Sequence, residues 1–149
     1  MQLPVNPRTV LKLFSHNILS YEQIELNEYP KIYHIGNGVN KLKPISGGFN
    51  FDDDRGYYIY TIGDHIAYRY EIQNLLGQGG FGQVLKVFDH RDGKEVALKI
   101  IKNRPRFHQQ ALEEVEILKY LKEKDQDGSY CIVHLEDYFM FRKHMVKTT

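Results

Sequence analysis

A glycine-rich segment followed by one lysine carries the clearest chemistry in this sequence. The segment reads Gly77-Gln78-Gly79-Gly80-Phe81-Gly82-Gln83-Val84, and the lysine is Lys99, in Val96-Ala97-Leu98-Lys99. Because glycine has no Cβ atom, backbone N–H groups in such a segment can approach anionic oxygens closely. A lysine ammonium is a compact positive charge that suits the same oxygens. We therefore expect this part of the chain to bind phosphate groups.

The residues after the last glycine decide between two kinds of phosphate-binding loop. A dinucleotide-binding G-x-G-x-x-G loop continues into a helix, whereas the alternation from Val84 to Phe88 is typical of a strand. Asp89–Gly93 then predicts a turn, and Glu95–Ile101 predicts a second, antiparallel strand. A glycine loop within a β-hairpin favours the ATP loop of protein kinases, and the dinucleotide loop remains the alternative. The tripeptide His90-Arg91-Asp92 spells a kinase catalytic motif but falls in this predicted turn.

Lys99 needs a carboxylate partner, and the following helix offers Glu114. Strand alternation places Ala97 and Lys99 on one face, which suits an adenine ring and a phosphate respectively. A helix is predicted from Phe107 to about Glu123, with an apolar stripe of Phe107, Ala111, Leu118 and Leu121. Glu114 interrupts that stripe, and a carboxylate there is costly unless it is paired. The alternatives are a surface lysine and a helix-edge glutamate that reaches water.

Composition predicts one modest α+β domain. The 149 residues are 42% hydrophobic and 26% charged with a net charge of +1, which gives no bulk attraction to nucleic acids or membranes. We expect neither a membrane span nor a signal peptide at Met1-Gln2-Leu3-Pro4. The single cysteine, Cys131, favours a reducing compartment. The seven histidines show no metal-binding spacing, so we predict no metal site in this chain.

The first part of the chain predicts short helices that must dock on other elements. Asn6-Pro7 is typical of a helix start, and the stripe that follows consists of Val10, Leu11, Phe14, Ile18 and Leu19. A second helix is predicted to begin at Ser20, with Gln23 completing a capping box, and to end before Pro30. Helices this short are marginal in water, so we expect them to pack against the following segment or the sheet. The join to the rest of the chain is predicted near Ile45-Ser46-Gly47-Gly48.

Stretches on both sides of the glycine loop resemble the dual-specificity tyrosine-regulated kinase (DYRK) family. The DYRK homology box is similar to Asp52-Asp53-Asp54, Tyr57 and Asp64-His65-Ile66-Ala67-Tyr68-Arg69-Tyr70-Glu71. The family's αC helix and fourth strand are similar to Arg106–Ala111, Val133-His134, Phe139 and Phe141-Arg142. Tyr29–Tyr33 and the helices before it resemble the accessory region of the class II members, which assists tyrosine autophosphorylation during maturation.

The resemblance implies three segments and a set of site residues. The segments are a helical accessory region at 1–50, the homology box at 51–71 and part of a kinase upper lobe (N-lobe) at 72–149. ATP and Mg²⁺ are the implied cofactors, with Lys99 and Glu114 as the catalytic ion pair. The implied ATP-binding residues are Leu76, Gly77, Gln78, Gly79, Gly80, Phe81, Gly82, Gln83, Val84, Ala97 and Lys99. Among them, Leu76, Val84 and Ala97 would cover the adenine.

The sequence also departs from the family pattern. Gly80 stands where the family more often has serine. After Val146 the family continues as an apolar fifth strand, whereas this chain reads Lys147-Thr148-Thr149. We therefore expect an antiparallel N-lobe sheet and helix αC without the fifth strand or the lower lobe (C-lobe). Residues 100–149 contain neither a catalytic-loop H-R-D-L-x-x-x-N nor a D-F-G metal motif, so the Mg²⁺ ligands would lie in the missing lobe.

Two functions stay open at this stage. One is the ATP-binding part of a dual-specificity kinase, which transfers the γ-phosphate to protein substrates when complete. The other is a non-catalytic fragment that acts as a binding or regulatory module. For either, we expect a cytoplasmic monomer, with the nucleus as a second compartment, that has no nucleic-acid or membrane partner. We expect the chain alone to be inactive as a kinase.

Overall fold

The structure, a computed structural model, describes residues 4–41, 51–124 and 137–148. Its helices are α1 (Pro7–Leu13), α2 (Ser20–Glu25) and α3 (Pro105–Lys124), with 3₁₀ turns at Ser15–Asn17 and Leu26–Glu28. Its strands are β1 (His65–Ile66), β2 (Tyr70–Gly79), β3 (Gly82–Asp89), β4 (Lys94–Ile101), β5 (Asp137–Phe141) and β6 (His144–Thr148). The strands form one sheet in the order β1-β2-β3-β4-β6-β5. The predicted α+β class is confirmed.

The chain divides into two compact units. The first comprises Met1–Phe49, Tyr60–Asn74 and Val87–Glu95, and the second comprises Asn50–Ile59, Leu75–Lys86 and Val96–Thr149. Segment boundaries after residues 50 and 71 remain predictions. The predicted join at Ile45–Gly48 and the stretch containing Cys131 and Val133-His134 lie outside the described residues. None of the helices in the described ranges is a candidate membrane span.

The first unit has its own apolar core, formed by the short helices and the homology box. Asn6 caps α1, because its Oδ1 accepts a hydrogen bond from the Thr9 backbone N–H at 2.9 Å. The core consists of Val10, Ile18, Leu26, Ile32, Ile35 and Tyr68, with Leu11 and Phe14 packed against it. Tyr68 belongs to the homology box, so the predicted docking of the accessory helices on that segment is confirmed.

The capping box of α2 differs from the prediction by one residue. The N-cap is Leu19, and its backbone N–H donates to Glu22 Oε1 at 3.2 Å. Ser20 is therefore the first helical residue, as expected, but Gln23 does not make the reciprocal contact and Glu22 does. The Glu22 carboxylate also contacts Lys41 and His65, which stabilise it in this position.

The second unit contains the strand that we expected to be missing, so that prediction is wrong. β6 lies between β4 and β5 and is antiparallel to both, with Leu98 opposite Thr148 and Ile100 opposite Val146. Arg142 and Lys143 form the turn before it with φ values of 49° and 69°. Two consecutive positive φ values fit a tight hairpin turn, although neither residue is the usual glycine or asparagine. β6 therefore occupies the position between β4 and β5 in the sheet.

Helix α3 covers the face of β4 and β6 that carries the site. It begins at Pro105, slightly before the predicted Phe107. Ile101, Ala111 and Met145 form a small core there, with Phe81 and Phe107 partly buried against it. Because side chains alternate along a strand, Lys99 shares a face with Ile101, and Lys147 shares one with Met145. The two lysines are therefore directed toward α3.

Candidate nucleotide-binding site

The glycine segment forms the predicted hairpin. β2 ends at Gly79, β3 begins at Gly82, and Gly80-Phe81 connects them. Gly82 has φ of +150°, and a Cβ there would lie 2.1 Å from the Ile100 carbonyl oxygen, so packing against β4 alone requires glycine at this position. By contrast, a Cβ on Gly77 or Gly80 would meet nothing within 4 Å. The space beside these two glycines fits the close approach of a ligand.

Tyr57 anchors this hairpin. Its hydroxyl donates to the Gly79 carbonyl oxygen at 2.6 Å. Its ring lies under Lys102, whose Nζ is 4.3 Å from the ring centre, and the Lys102 backbone N–H donates to the Phe81 carbonyl oxygen at 2.8 Å. A buried tyrosine of the homology box therefore stabilises the end of β2 in the glycine hairpin. No local sequence pattern indicates this role.

The residues predicted to cover an adenine leave an accessible apolar surface. Leu76 is 54% exposed, and Val84 and Ala97 are half-buried. An exposed leucine on a strand is unremarkable by itself. Together with the glycine segment between Leu76 and Val84, these side chains are available to an apolar ring, as the implied role requires.

Lys99 and Glu114 are close together, as predicted. Lys99 Nζ donates to Glu114 Oε2 at 3.5 Å, the long end of a hydrogen bond. The Lys99 ammonium also lies 4.6 Å from the centre of the Phe81 ring, a cation–π contact. Glu114 is not buried in the apolar stripe, because its side chain is 45% exposed. Glu114 is therefore both a partner of Lys99, as predicted, and a helix-edge glutamate that reaches water, as in the alternative.

A second lysine contacts the same carboxylate more closely. Lys147 on β6 lies directly opposite Lys99 on β4, and its Nζ is 2.7 Å from Glu114 Oε2. The Lys147 side chain is only 2% exposed. Its buried ammonium makes no well-oriented hydrogen bond to a described residue, so the ion pair with Glu114 is its main polar contact. Glu114 thus sits between two ammonium groups.

The pKa values of Glu114 and Lys147 are both lowered, but for different reasons. Burial alone would raise the pKa of Glu114, but Lys147, and after it Lys99, outweigh burial and lower it. Burial is the main cause that lowers the pKa of Lys147, and the Lys99 charge adds to it against the opposing effect of Glu114. Two positive charges and one negative charge leave a local excess of one positive charge, as an anion-binding site requires.

The homology box also supports β6. His144 Nδ1 lies 2.7 Å from the Ile101 carbonyl oxygen, and His144 Nε2 contacts Asp52 Oδ1. Asn103 Nδ2 donates to Asp52 Oδ2 at 2.7 Å. Within Asp52-Asp53-Asp54, the first residue is therefore a partly buried acceptor, whereas the other two are exposed. These contacts hold β6 against the end of β4, and sequence reasoning missed them.

The first unit contains a buried ionic cluster that the sequence did not reveal. Glu22 is completely buried, and Lys41 Nζ donates to both of its carboxylate oxygens, at 2.9 and 3.0 Å. His65 Nε2 lies 2.6 Å from Glu22 Oε2. Burial alone would raise the pKa of Glu22, but His65, and after it Lys41, lower it to about 2. Lys41 also donates to the Ile35 carbonyl oxygen.

His34, Glu71 and His90 also lie together in the first unit. Glu71 Oε1 is 2.9 Å from His90 Nε2 and 3.6 Å from His34 Nε2. The two imidazole rings stack with centroids 4.6 Å apart and 1° between their planes. A metal ion about 2.0–2.1 Å from each nitrogen would have to lie close to both ring planes. Parallel stacked rings do not meet that condition, so this arrangement is not a metal site as it stands.

Comparison with known proteins agrees with this geometry. The protein kinase domain family matches residues 70–147. Dual specificity tyrosine-phosphorylation-regulated kinase 3 of Rattus norvegicus is 43% identical over 96% of this chain and 25% of its own length. The corresponding kinase 4 of Homo sapiens is 46% identical over 93% of this chain and 27% of its own length. The probable serine/threonine-protein kinase dyrk2 of Dictyostelium discoideum is 46% identical over 97% of this chain and 16% of its own length.

The chain spans about a quarter of the length of the first two of these relatives. The match nevertheless covers nearly all of the chain, including the short helices, the homology box and the glycine hairpin. The protein kinase match begins at the first residue of β2 and ends within β6. This chain therefore belongs to the protein kinase family, in its dual-specificity tyrosine-phosphorylation-regulated branch.

Proposed function

We propose that this chain is the ATP-binding part of a dual-specificity protein kinase. The observation that carries the proposal is the Lys99–Glu114 contact beside a glycine hairpin with open space at Gly77 and Gly80. When bound, ATP supplies the γ-phosphoryl group that a complete kinase transfers to hydroxyl groups of protein substrates and, during maturation, to its own tyrosine. Phosphoryl transfer depends mostly on positioning and charge, which this part of the chain provides on the nucleotide side.

The chain's residues have distinct roles in this proposal. Backbone N–H groups near Gly79 and Gly80 bind the phosphate oxygens, Leu76, Val84 and Ala97 cover the adenine, and Lys99 supplies a positive charge. The Phe81 ring rests on the Lys99 ammonium, so it must move before a phosphate oxygen can replace it. A cation–π contact at a partly exposed site is worth about 0.5–1 kcal/mol, which a charged phosphate can displace.

Mg²⁺ and phosphoryl transfer require residues that this sequence does not contain. The motifs that ligate the metal and orient the nucleophile in kinases, H-R-D-L-x-x-x-N and D-F-G, do not occur in it. We therefore propose nucleotide binding for the chain alone, and ATP-dependent phosphorylation of protein substrates for a protein that also contains those motifs.

Titration of the chain with a fluorescent ATP analogue tests the proposal. Replacing Lys99 with Met keeps most of the side-chain volume but removes a charged hydrogen bond, so affinity should fall about tenfold or more. Lys94→Met is the matched control, because Lys94 is an exposed lysine at the start of the same strand, and its affinity should match the wild type. Lack of saturable binding by the wild type, or equal affinity for Lys99→Met, would overturn the proposal.

A further inference from the structure

Lys147 is the feature of the site that the proposed function does not explain. Lys99 and Lys147 are directly opposed on adjacent antiparallel strands. Like charges in that relation repel each other, so a strand pair built for stability alone would avoid them. Lys147 is also almost fully buried, and burial of a charge with one incomplete partner is unfavourable. A hydrophobic side chain at residue 147 would be the more stable choice.

The distances around Glu114 indicate what the second lysine does. Both ammonium groups contact the same oxygen, Oε2, at 2.7 Å for Lys147 and 3.5 Å for Lys99. The closer contact belongs to the buried lysine, and the looser contact belongs to the lysine whose side chain is 30% exposed. Lys147 is therefore the main counter-charge of Glu114, and Lys99 is held weakly enough to turn toward a ligand.

We propose that Lys147 is a positioning residue that holds Glu114 toward β6, so that Lys99 keeps its positive charge for the phosphates of a nucleotide. This inference rests on the proposed function. In a site with Lys99 and Glu114 alone, the glutamate would neutralise the lysine, and the net charge facing a phosphate would be zero. With Lys147 present, the net charge stays positive after the carboxylate is neutralised. Lys147 itself is too buried to touch the nucleotide.

A series of ligands with increasing negative charge separates this electrostatic role from a packing role. Affinities of the 149-residue chain for adenosine, AMP, ADP and ATP would be measured for the wild type and Lys147→Met. Loss of one nearby positive charge should weaken ATP binding by about fivefold, AMP binding by less and adenosine binding hardly at all. The ATP difference should shrink in high salt. A packing defect would instead weaken all four ligands equally.

Lys143→Met is the matched control for overall charge. It removes one lysine from the exposed turn of the same hairpin, and its affinities should follow the wild type through the whole series. Equal affinities of Lys147→Met and the wild type for ATP, or a uniform loss that includes adenosine, would overturn the inference. Circular dichroism of each variant confirms that the compared proteins are folded.

A second measurement tests, without any nucleotide, whether Lys147 is the main charged partner of Glu114. The carboxyl ¹³C resonance of Glu114 would be followed from pH 7 to pH 2 in the wild type, Lys99→Met and Lys147→Met. The Glu114 pKa, lowered in the wild type, should stay low in Lys99→Met and rise most in Lys147→Met. The reverse order would overturn the inference even if ATP binds. If the wild type binds no ATP but the Glu114 pKa rises most in Lys147→Met, the proposed function is wrong. The positioning of Glu114 by Lys147 is then still supported.

Discussion

Lys41 in the first unit and Lys147 in the second are both buried beside a glutamate, but their surroundings differ. The Lys41 ammonium donates to both oxygens of Glu22 and to the Ile35 carbonyl oxygen, which uses all three of its protons. The Lys147 ammonium contacts one oxygen of Glu114, and that oxygen also contacts Lys99. Glu22 is inaccessible to solvent, whereas the Glu114 side chain is 45% exposed.

The difference separates a charge cluster that stabilises the fold from one that serves a site. Complete hydrogen bonding around Lys41 and Glu22 offsets the desolvation of both charges, so their removal should weaken the first unit. Because the hydrogen bonding around Lys147 is incomplete, the second unit is less stable than it would be with an apolar residue at position 147. Proteins commonly tolerate such local instability where a ligand is to be bound.

The largest effect is expected for Glu22→Gln. This substitution keeps the shape of the side chain but leaves the buried Lys41 ammonium with only a more distant carboxylate, Asp64 Oδ1 at 3.8 Å. The free energy of unfolding should therefore fall by about 3 kcal/mol, the low end of the cost of breaking a buried ion pair. Urea unfolding monitored by circular dichroism measures the change. Glu28→Gln, at an exposed glutamate in the same unit, should change it by less than about 0.5 kcal/mol. Similar values for the two variants would show that the buried cluster does not stabilise the fold.

Acid should remove the same contribution. The pKa of Glu22 is lowered from 4.5 to about 2 in the folded chain, so its stabilisation is fully present above pH 4.5. It is lost as the pH falls from about 4.5 toward 2, and by linkage it amounts to about 3 kcal/mol at most. The stability difference between the wild type and Glu22→Gln should therefore narrow over that interval. A difference that is constant from pH 7 to pH 2.5 would contradict the assignment.

Lys147→Met should change the free energy of unfolding in the opposite direction to Glu22→Gln. The remaining partner, Glu114, is 45% exposed and keeps its contact with Lys99, so no uncompensated buried charge is left. Removal of the buried Lys147 charge, which also faces Lys99, should therefore raise the free energy of unfolding by about 1 kcal/mol. Thermal and urea unfolding of this variant, with Lys143→Met as the exposed control, measure the effect. The same variant is expected to bind ATP less tightly, so stability and affinity should change in opposite directions. Destabilisation by 2 kcal/mol or more would place Lys147 with Lys41 as a structural residue.

Tyr57→Phe should have the smallest effect. It removes the hydroxyl that donates to the Gly79 carbonyl oxygen and leaves the ring under Lys102, so the free energy of unfolding should fall by about 0.5 kcal/mol, the low end for one hydrogen bond. Amide hydrogen exchange should increase in the glycine hairpin and stay unchanged in α1. Tyr60→Phe is a suitable control, since Tyr60 belongs to the first unit. Equal exchange of the hairpin in both variants would show that Tyr57 does not anchor it.

Local patterns predicted the parts of the site that depend on neighbouring residues. The glycine hairpin, the turn at His90–Asp92, the strand with Lys99 and the helix with Glu114 all follow from spacing within a short stretch. The contact between Lys99 and Glu114 was predictable because a charged residue near an apolar stripe requires a partner. Their roles in nucleotide binding remain predictions.

The parts that sequence reasoning missed depend on contacts between distant residues. β6 was missed because Lys147 and Thr148 are polar and the Arg142-Lys143 turn lacks glycine, whereas pairing with β4 and β5 decides its conformation. Glu22 and His65 are 43 residues apart, so no local pattern connects them. Both cases concern charged side chains in buried positions. The partners of such side chains can be identified only when the fold is known.

The most direct test of the account is to identify which lysine lies at the phosphates. An ATP analogue with an acyl group on its terminal phosphate transfers that group to a nearby lysine amine and releases the nucleotide, and mass spectrometry locates the acylated residue. We predict acylation of Lys99 that excess ATP prevents, with no acylation of Lys147, because Lys147 is buried and paired with Glu114. Acylation spread over exposed lysines and insensitive to ATP, or acylation of Lys147 in place of Lys99, would contradict the account.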